Sequence, residues 1–201
     1  MAALTSSTTN IDICARALVM IGASPITSFE DGTTESLVAS NTYEDTIRSD
    51  LTLTRWRFAT GQAQLSRLTD APEGRFDAAY QLPSNTLALH TVTINDNILG
   101  YDRYENMIYC NATSSDVLIA DYTYRVDEER WPPYFTVLAQ YHMASIFAAA
   151  VARSAKLQEL FLTQYATQLR TAKSIDGQGQ PTRRVITNRF RNFRHSSSSL
   201  G

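Results

Sequence analysis

The 201-residue chain has only two cysteines, Cys14 and Cys110, and they stand far apart in the sequence. Two such cysteines form neither a disulfide framework nor a metal-binding spacing, so we expect both to be reduced side chains in a core. Glycines and prolines are also few, at 8 and 6, whereas 43% of the residues are hydrophobic. This composition excludes a disordered chain and predicts an ordinary globular protein, whose core needs no disulfide and no metal.

Long apolar runs are absent too. No segment approaches the ~20 apolar residues that a membrane-spanning helix needs. The first ten residues, MAALTSSTTN, include no basic residue and no apolar segment, and so lack the features of a signal peptide. We therefore expect a protein that is made in the cytoplasm and has no membrane partner.

The sequence also lacks catalytic motifs: it has no phosphate-binding glycine loop, no zinc signature and no nucleophile elbow. His142 falls in an apolar predicted helix and is expected to be a hydrogen-bonded core histidine. Asp121 is either a buried acid or, as we expect, a solvent-facing residue of a half-exposed strand. Glu128 and Glu129 are expected to interact favourably with the N-terminus of the helix that follows them. These residues predict no enzyme, no metal and no cofactor.

Two helices are predicted before residue 55, because apolar residues recur there at helical spacing. The first covers about residues 11–21 and is capped by Asn10, and the second covers about residues 33–53 and is capped by Thr33 or Thr34. The apolar face of the second helix is predicted to hold Ala39, Tyr43, Ile47 and Leu51.

From Trp56 to Val126 the hydrophobic period changes to two, which predicts antiparallel strands. Turns are predicted at residues 95–97 and around Glu105 and Asn106. The segment DVLIADYTYRV is predicted to be a half-exposed strand with one face made of Leu118, Ala120, Tyr122, Tyr124 and Val126.

Two further helices are predicted after this block. The first begins at Pro132 and Pro133, where a missing N–H costs little, and its alanine-rich sequence is apolar on nearly all sides. The second is capped by Ser154, and its inner face is predicted to contain Leu157, Leu160, Phe161, Gln164, Gln168 and Leu169.

The predicted fold class is α+β: a four-helix bundle of two N-terminal and two C-terminal helices, with an inserted antiparallel β subdomain and an extended C-terminal arm. Each helix pair alone would expose an apolar stripe, so we expect the two pairs to pack together. The boundaries are 1–55 for the N-terminal helices, 56–130 for the β subdomain, 131–178 for the C-terminal helices and 179–201 for the C-terminal arm.

The C-terminal arm (residues 179–201) is basic and contains two phenylalanines. Residues 181–201 hold five arginines and no acid, whereas residues 1–180 hold 13 basic and 20 acidic residues, a net charge of −7. Three interpretations remain: a disordered tail, a nucleic-acid-binding arm, or a segment that orders on a protein partner, which the acidic body favours. The candidate contact residues are Arg183, Arg184, Arg189, Phe190, Arg191, Phe193 and Arg194.

Candidate subunit contacts come from the tyrosines of the β block and from the alanine-rich helix. Tyr122 and Tyr124 combine apolar area with a polar tip, as interface tyrosines do, although such residues can also line a small β core. Ala144 and Ala148 permit close helix approach, either within a subunit or between subunits.

Three segments, in order and spacing, resemble the tail tubular protein A family, the head-to-tail adaptors of short-tailed bacteriophages. The first is an Ile-Gly-x-x-Pro turn between two helices, followed by a Trp-x-Phe strand start; the second is YQLP; the third is WPP followed by two helices. The resemblance covers about residues 10–178.

The resemblance implies a virion structural protein that forms a ring of about twelve copies between the portal protein and the tail nozzle protein, with DNA passing through the channel without specific binding. It also implies that the C-terminal arm docks on the portal, although the residues of the arm match no motif of the family. The alternatives are a nucleic-acid-binding packaging accessory protein that uses the arm, and a small hydrolase for which no residue set is evident.

Overall fold

The computed structural model describes residues 8–69 and 74–179. Four α-helices lie at the two ends of this part of the chain, and eight strands lie between them. The helices are α1 (Asn10–Met20), α2 (Thr34–Thr52), α3 (Pro133–Ala150) and α4 (Ala155–Gln178). Short 3-10 helices cover Arg57–Ala59 and Glu128–Arg130.

The strands form two antiparallel four-stranded sheets. Their bounds are β1 (Thr60–Gln64), β2 (Ser66–Arg67), β3 (Ala78–Gln81), β4 (Thr86–Ile94), β5 (Asn97–Ile98), β6 (Asp102–Tyr104), β7 (Met107–Cys110) and β8 (Leu118–Tyr124). The first sheet has the order β1-β8-β4-β5 and the second has the order β2-β3-β7-β6.

Local sequence signals explain where the helices begin. Thr9 caps α1, because its hydroxyl accepts from the backbone N–H of Asp12 while the Asp12 side chain accepts from the backbone of Thr9. The cap is therefore Thr9, and the predicted cap Asn10 is wrong by one residue. Thr33 caps α2 and Ser154 caps α4, as predicted, and α3 starts at Pro133.

The first core lies among the helices, with α3 at its centre. Nine residues of α3 are buried, and at 100° per residue they point in nearly every direction around the helix axis. α3 packs along α4 and also contacts α1 and α2. The predicted apolar face of α2 is confirmed, since Ala39, Tyr43, Ile47 and Leu51 are all buried there.

The second core lies between the two sheets. Leu65, Tyr80, Val92, Ile108 and Leu118 are among its buried residues. The strand β8 contributes to both cores, because its Leu118 and Ala120 belong to the second core whereas its Tyr124 packs against the first. The β block therefore rests directly on the helices.

The predicted four-helix bundle with an inserted β subdomain is wrong, although the α+β class and the antiparallel strands are found. Helices and strands interleave in the packed structure: α2 contacts both β4 and β8, and strand residues Leu87 and Tyr124 pack against the helical core. Helix length gives a physical reason. At about 1.5 Å per residue, α1 is only about 16 Å long and α4 about 36 Å. Because α1 is too short to pack along the full length of the other helices, strand residues cover the remaining part of the helical core.

The predicted turns are found between β4 and β5 and between β6 and β7, where Asn95, Asp96 and Glu105 adopt positive φ angles. The inner face of α4 is partly wrong, because Leu160 is 50% exposed. Gln164 is exposed as well. The prediction is confirmed for Phe161, which is buried, and for Leu157 and Leu169, which pack against the first core.

Within residues 8–69 and 74–179, no helix is both long and apolar enough to cross a membrane.

Candidate interaction surfaces

Ala144 and Ala148 lie in the C-terminal half of α3 and are fully buried within one chain. Both belong to the core that α3 forms with the other helices. Of the two predicted uses of these alanines, close packing inside the subunit is the one for which the structure gives contacts.

Tyr122 and Tyr124 lie next to each other on β8, with ring centroids 6.0 Å apart. Both are half-buried and lie against the edge strand β1 at Gly61. A Cβ atom on Gly61 would come within 3.2 Å of the Tyr124 ring, so a glycine at this position allows the ring to lie on the strand. These two tyrosines keep an exposed part and remain candidates for a subunit contact.

The other tyrosines of the β block lie in or near the second sheet. Tyr104 and Tyr109 form an edge-to-face pair with centroids 5.4 Å apart, and Tyr101 packs against the second core. Tyr104 is 53% exposed. The tyrosines of the β block are therefore distributed between two sheets.

The candidate contact residues of the C-terminal arm lie outside the described residues; they are Arg183, Arg184, Arg189, Phe190, Arg191, Phe193 and Arg194. The structure does describe the point from which the arm leaves the body. The Asp176 carboxylate accepts from the backbone N–H of Arg57 at 3.1 Å and from the Tyr134 hydroxyl at 2.7 Å. Gly179 lies beside the Arg57 guanidinium. The arm thus begins next to the 3-10 helix that precedes β1.

α4 presents a long exposed surface at the C-terminal end of the described residues. Only Phe161 and Ala172 of its 24 residues are buried. Leu160, Leu162 and Ile175 are 50%, 43% and 43% exposed. A helix about 36 Å long that uses one side for its own core leaves the other side available for a partner.

A buried polar cluster joins α2, α3 and α4. Asp50 is fully buried, and its carboxylate lies 2.9 Å from Nδ1 of His142 and 2.7 Å from the Tyr165 hydroxyl, which donates to it. The backbone carbonyl of Asp50 accepts from Nε1 of Trp56. Burial and the charge of Asp50 raise the pKa of Tyr165, so the phenol remains a hydrogen-bond donor.

This cluster confirms that His142 is hydrogen-bonded, although its side chain is half-buried, with 22% exposed, rather than fully in the core. An aspartate–histidine pair is also a common catalytic arrangement. Here the Asp50 carboxylate accepts a second hydrogen bond, from the Tyr165 hydroxyl, and the ring centroids of Tyr165 and His142 lie 4.3 Å apart. The geometry fastens three helices together. Among the described residues, no group of three or more histidine, cysteine or acidic side chains is arranged to hold a metal ion.

A second ion-pair network lies where β8 meets α2. The Arg125 guanidinium contacts Glu44 at 3.0 Å and Glu128 at 2.6 Å, and it lies 5.7 Å from the centroid of the Trp131 ring. Tyr43 donates to Glu128 at 2.9 Å. Burial alone would lower the pKa of Arg125, but its hydrogen bonds to the two glutamates raise it. Glu128 thus pairs with Arg125 and Tyr43, and the expected interaction with the N-terminus of α3 is not what holds it.

Asp121 faces the outer side of the first sheet, as expected, but it is not free in solvent. Its carboxylate accepts from Gln62 at 3.0 Å and lies 3.4 Å from the guanidinium of Arg55. Close by, Nε2 of His90 lies 2.7 Å from the Thr123 hydroxyl. Burial and the positive charge of Arg55 lower the pKa of His90, which favours its neutral form. The contact of Arg55 with Asp121 joins the segment that follows α2 to β8, and the other two contacts link β8 to its neighbours β1 and β4.

Sequence analysis missed Asp50 because the two partners of its carboxylate lie 92 and 115 residues away in the chain. It missed the network of Arg125 because one partner, Glu44, lies 81 residues away, although Glu128 is only three residues away. The only available signal was an acid one position before Leu51 on the apolar face of a helix.

The sequence matches no protein-family model. No curated protein shows significant similarity to it.

Proposed function

We propose that this protein is a head-to-tail adaptor of a bacteriophage, a structural protein that assembles into a ring of about twelve copies between portal and tail nozzle. The proposal rests on the resemblance of residues 10–178 to the tail tubular protein A family. The observation that supports it most is the exposed surface of α4, where Leu160 and Leu162 lie on opposite flanks of the helix. No enzymatic activity is part of this proposal.

A closed ring requires two different surfaces on each subunit, because a heterologous contact joins one surface to another. The outer side of α4 is our candidate for the first surface. The second candidate is the α1–α2 part of the molecule, where Val19 is 59% exposed and Leu37 is 62% exposed. Charge is consistent with this pairing: residues 8–54 hold seven acidic and two basic residues, whereas α4 holds three basic and two acidic residues.

In this proposal the C-terminal arm docks on the portal, with its arginines pairing with acids and with Phe190 and Phe193 inserted into the partner surface. The acidic body suits a channel wall that DNA must pass without being held. The assembled protein would belong to the neck of the virion.

The ring contact can be tested with Leu162→Arg, because this side chain is 43% exposed and its replacement should leave the fold intact. The matched control is Ile98→Arg, which changes an 80% exposed apolar residue on the β4–β5 hairpin. We expect Leu162→Arg to reduce the number of copies that bind a portal complex, measured by native mass, while the control binds in full number. Full binding by both variants would remove α4 from the interface.

The five arginines of the arm favour one alternative, a nucleic-acid-binding accessory protein. That alternative predicts a DNA affinity that falls steeply with salt and disappears when residues 181–201 are deleted. The adaptor proposal predicts no such loss of DNA affinity on this deletion, because neither portal binding nor the passage of DNA requires the arm to bind DNA.

A further inference from the structure

The free edge of β1 is the least protected strand edge in the described part of the chain. The four edge strands are β1 and β5 in the first sheet and β2 and β6 in the second. β2 and β6 are short and charged, with Arg67 and Arg103 among their residues, and β5 has two residues. β1 is longer, with the sequence TGQAQ, and has no charge and no proline. Proteins usually protect such edges with charges, proline or bulges.

The pairing of β1 with β8 shows which backbone groups point away from the sheet. The N–H of Leu65 donates to the Leu118 carbonyl at 2.9 Å, and the register continues as Ala63 with Ala120 and Gly61 with Tyr122. In an antiparallel pair the hydrogen-bonded residues alternate, so Gln62 and Gln64 direct their N–H and C=O groups to the free edge. Both residues are exposed. The edge therefore offers a hydrogen-bonding row about five residues long.

The C-terminal arm leaves the body at the start of this edge. Asp176 holds the backbone N–H of Arg57, Gly179 lies beside the Arg57 side chain, and β1 begins three residues after Arg57. The sequence that follows, QPTRRVIT, places four β-branched residues within a few positions of that point. Val, Ile and Thr are residues that favour extended, paired backbone.

We propose that residues 183–187 of the C-terminal arm, RRVIT, pair with the free edge of β1 as an added strand of the same chain. Such a pairing would be parallel, because Gly179 lies beside Arg57 near the start of β1, and a segment that pairs from that point onward follows the direction of the strand. One of Val185 and Ile186 would then face inward beside the half-buried Ala63 and extend the second core. The pairing covers an edge that otherwise invites association with other chains.

This proposal does not depend on the adaptor function. If the protein is an adaptor, the arm must leave β1 before it reaches the portal, so the pairing would keep free subunits from associating through their edges. A protein without portal affinity could still show the pairing, and a portal-binding protein could lack it. The two proposals therefore fail in different experiments.

Amide hydrogen exchange measured by NMR tests the pairing directly. We compare the full-length protein with a chain that ends at Gly179. The amides of Gln62 and Gln64 should exchange at least about 10-fold faster in the shortened chain, because they lose their acceptors. The amides of Gly61 and Ala63 should be unchanged, since they pair with β8. Equal exchange of Gln62 and Gln64 in the two proteins would overturn the proposal.

Proline substitution provides a second test. Ile186→Pro should raise the exchange rates of the Gln62 and Gln64 amides as much as truncation does. Ser197→Pro, a control near the end of the arm, should leave these rates unchanged. A Ile186→Pro variant with unchanged exchange would contradict the pairing. The protection should also persist over a 100-fold dilution, which we take as roughly the range needed to dissociate a weak dimer. Loss of protection on dilution would assign the pairing to the arm of a neighbouring copy and overturn the intramolecular proposal.

Discussion

The buried carboxylate of Asp50 allows a stability prediction to be worked out from the structure. Tyr165→Phe removes the hydroxyl that donates to Asp50 at 2.7 Å and keeps the ring that lies against His142. A hydrogen bond to a charged group contributes about 1.5–3 kcal/mol to the free energy of unfolding. The variant should lose this full amount, because Asp50 is fully buried and water cannot replace the missing donor. For a chain of this length, that loss corresponds to a Tm decrease of roughly 3–12 °C.

The assay is urea unfolding followed by circular dichroism, with Tyr104→Phe as the control. Tyr104 is 53% exposed and its hydroxyl lies 3.5 Å from Asp102, at the limit of a hydrogen bond, so its loss should change the free energy of unfolding by less than about 0.5 kcal/mol. His142→Ala, which removes the other partner of Asp50, should cost more than Tyr165→Phe. If Tyr165→Phe were as stable as the wild type, the claim that this cluster fastens α4 to α2 would be refuted.

Three further predictions concern packing and capping. Ala148→Leu should lower the free energy of unfolding by about 1–3 kcal/mol, because Ala148 is fully buried in a packed core; a denaturant curve equal to that of the wild type would reveal unfilled space. Gly61→Val should cost a similar ~1–3 kcal/mol by the same assay, since its Cβ would meet the Tyr124 ring at 3.2 Å, and an unchanged Tm would contradict this. Thr9→Ala should cost about 1 kcal/mol at pH 7 by removing the cap of α1. Hydrogen bonds from Thr9 lower the pKa of Asp12, so Asp12 stabilises the folded state above its usual pKa, and this stabilisation is lost as the pH falls through the folded pKa. The difference in the free energy of unfolding between Thr9→Ala and the wild type should therefore narrow below about pH 4. A difference that grew there would contradict this prediction.

The helices could be predicted from the sequence because their signals are local. Capping residues, an apolar repeat and a proline pair each act within a few residues, so α2, α3 and α4 begin where these signals place them. The error at α1 is also local: Thr9 and Asn10 are both good caps, and the capping box with Asp12 decides for Thr9.

The arrangement of the strands could not be predicted, because it depends on contacts between distant residues. β3 and β4 are separated only by a short turn-rich segment, yet they belong to different sheets, since β4 pairs with β8 and β3 pairs with β7. Short strands with similar composition permit many pairings, and only the packed core selects one. The same reason hid the buried role of Asp50, whose partners come from two other helices.

The face of α4 illustrates the limit of periodicity. Leu157, Leu160 and Phe161 all fit an inner face by spacing, but α4 packs with Phe161 and Ala172 inward and leaves Leu160 half exposed. A helix rotated by a fraction of a turn satisfies the sequence pattern almost equally well. The rotation that is found leaves Leu160 and Leu162 partly exposed on the two flanks of α4, and our proposal places a neighbouring subunit on this exposed surface.

The most direct test of the adaptor proposal is the mass of the purified protein, alone and with portal complexes, for the full-length chain and for a chain ending at Gly179. We predict that the full-length protein adds to portals in a fixed stoichiometry of about twelve copies in a closed ring, and that the shortened chain fails to bind. A full-length protein that ignores portals but binds DNA in a salt-dependent manner would contradict the adaptor function and favour the nucleic-acid-binding alternative.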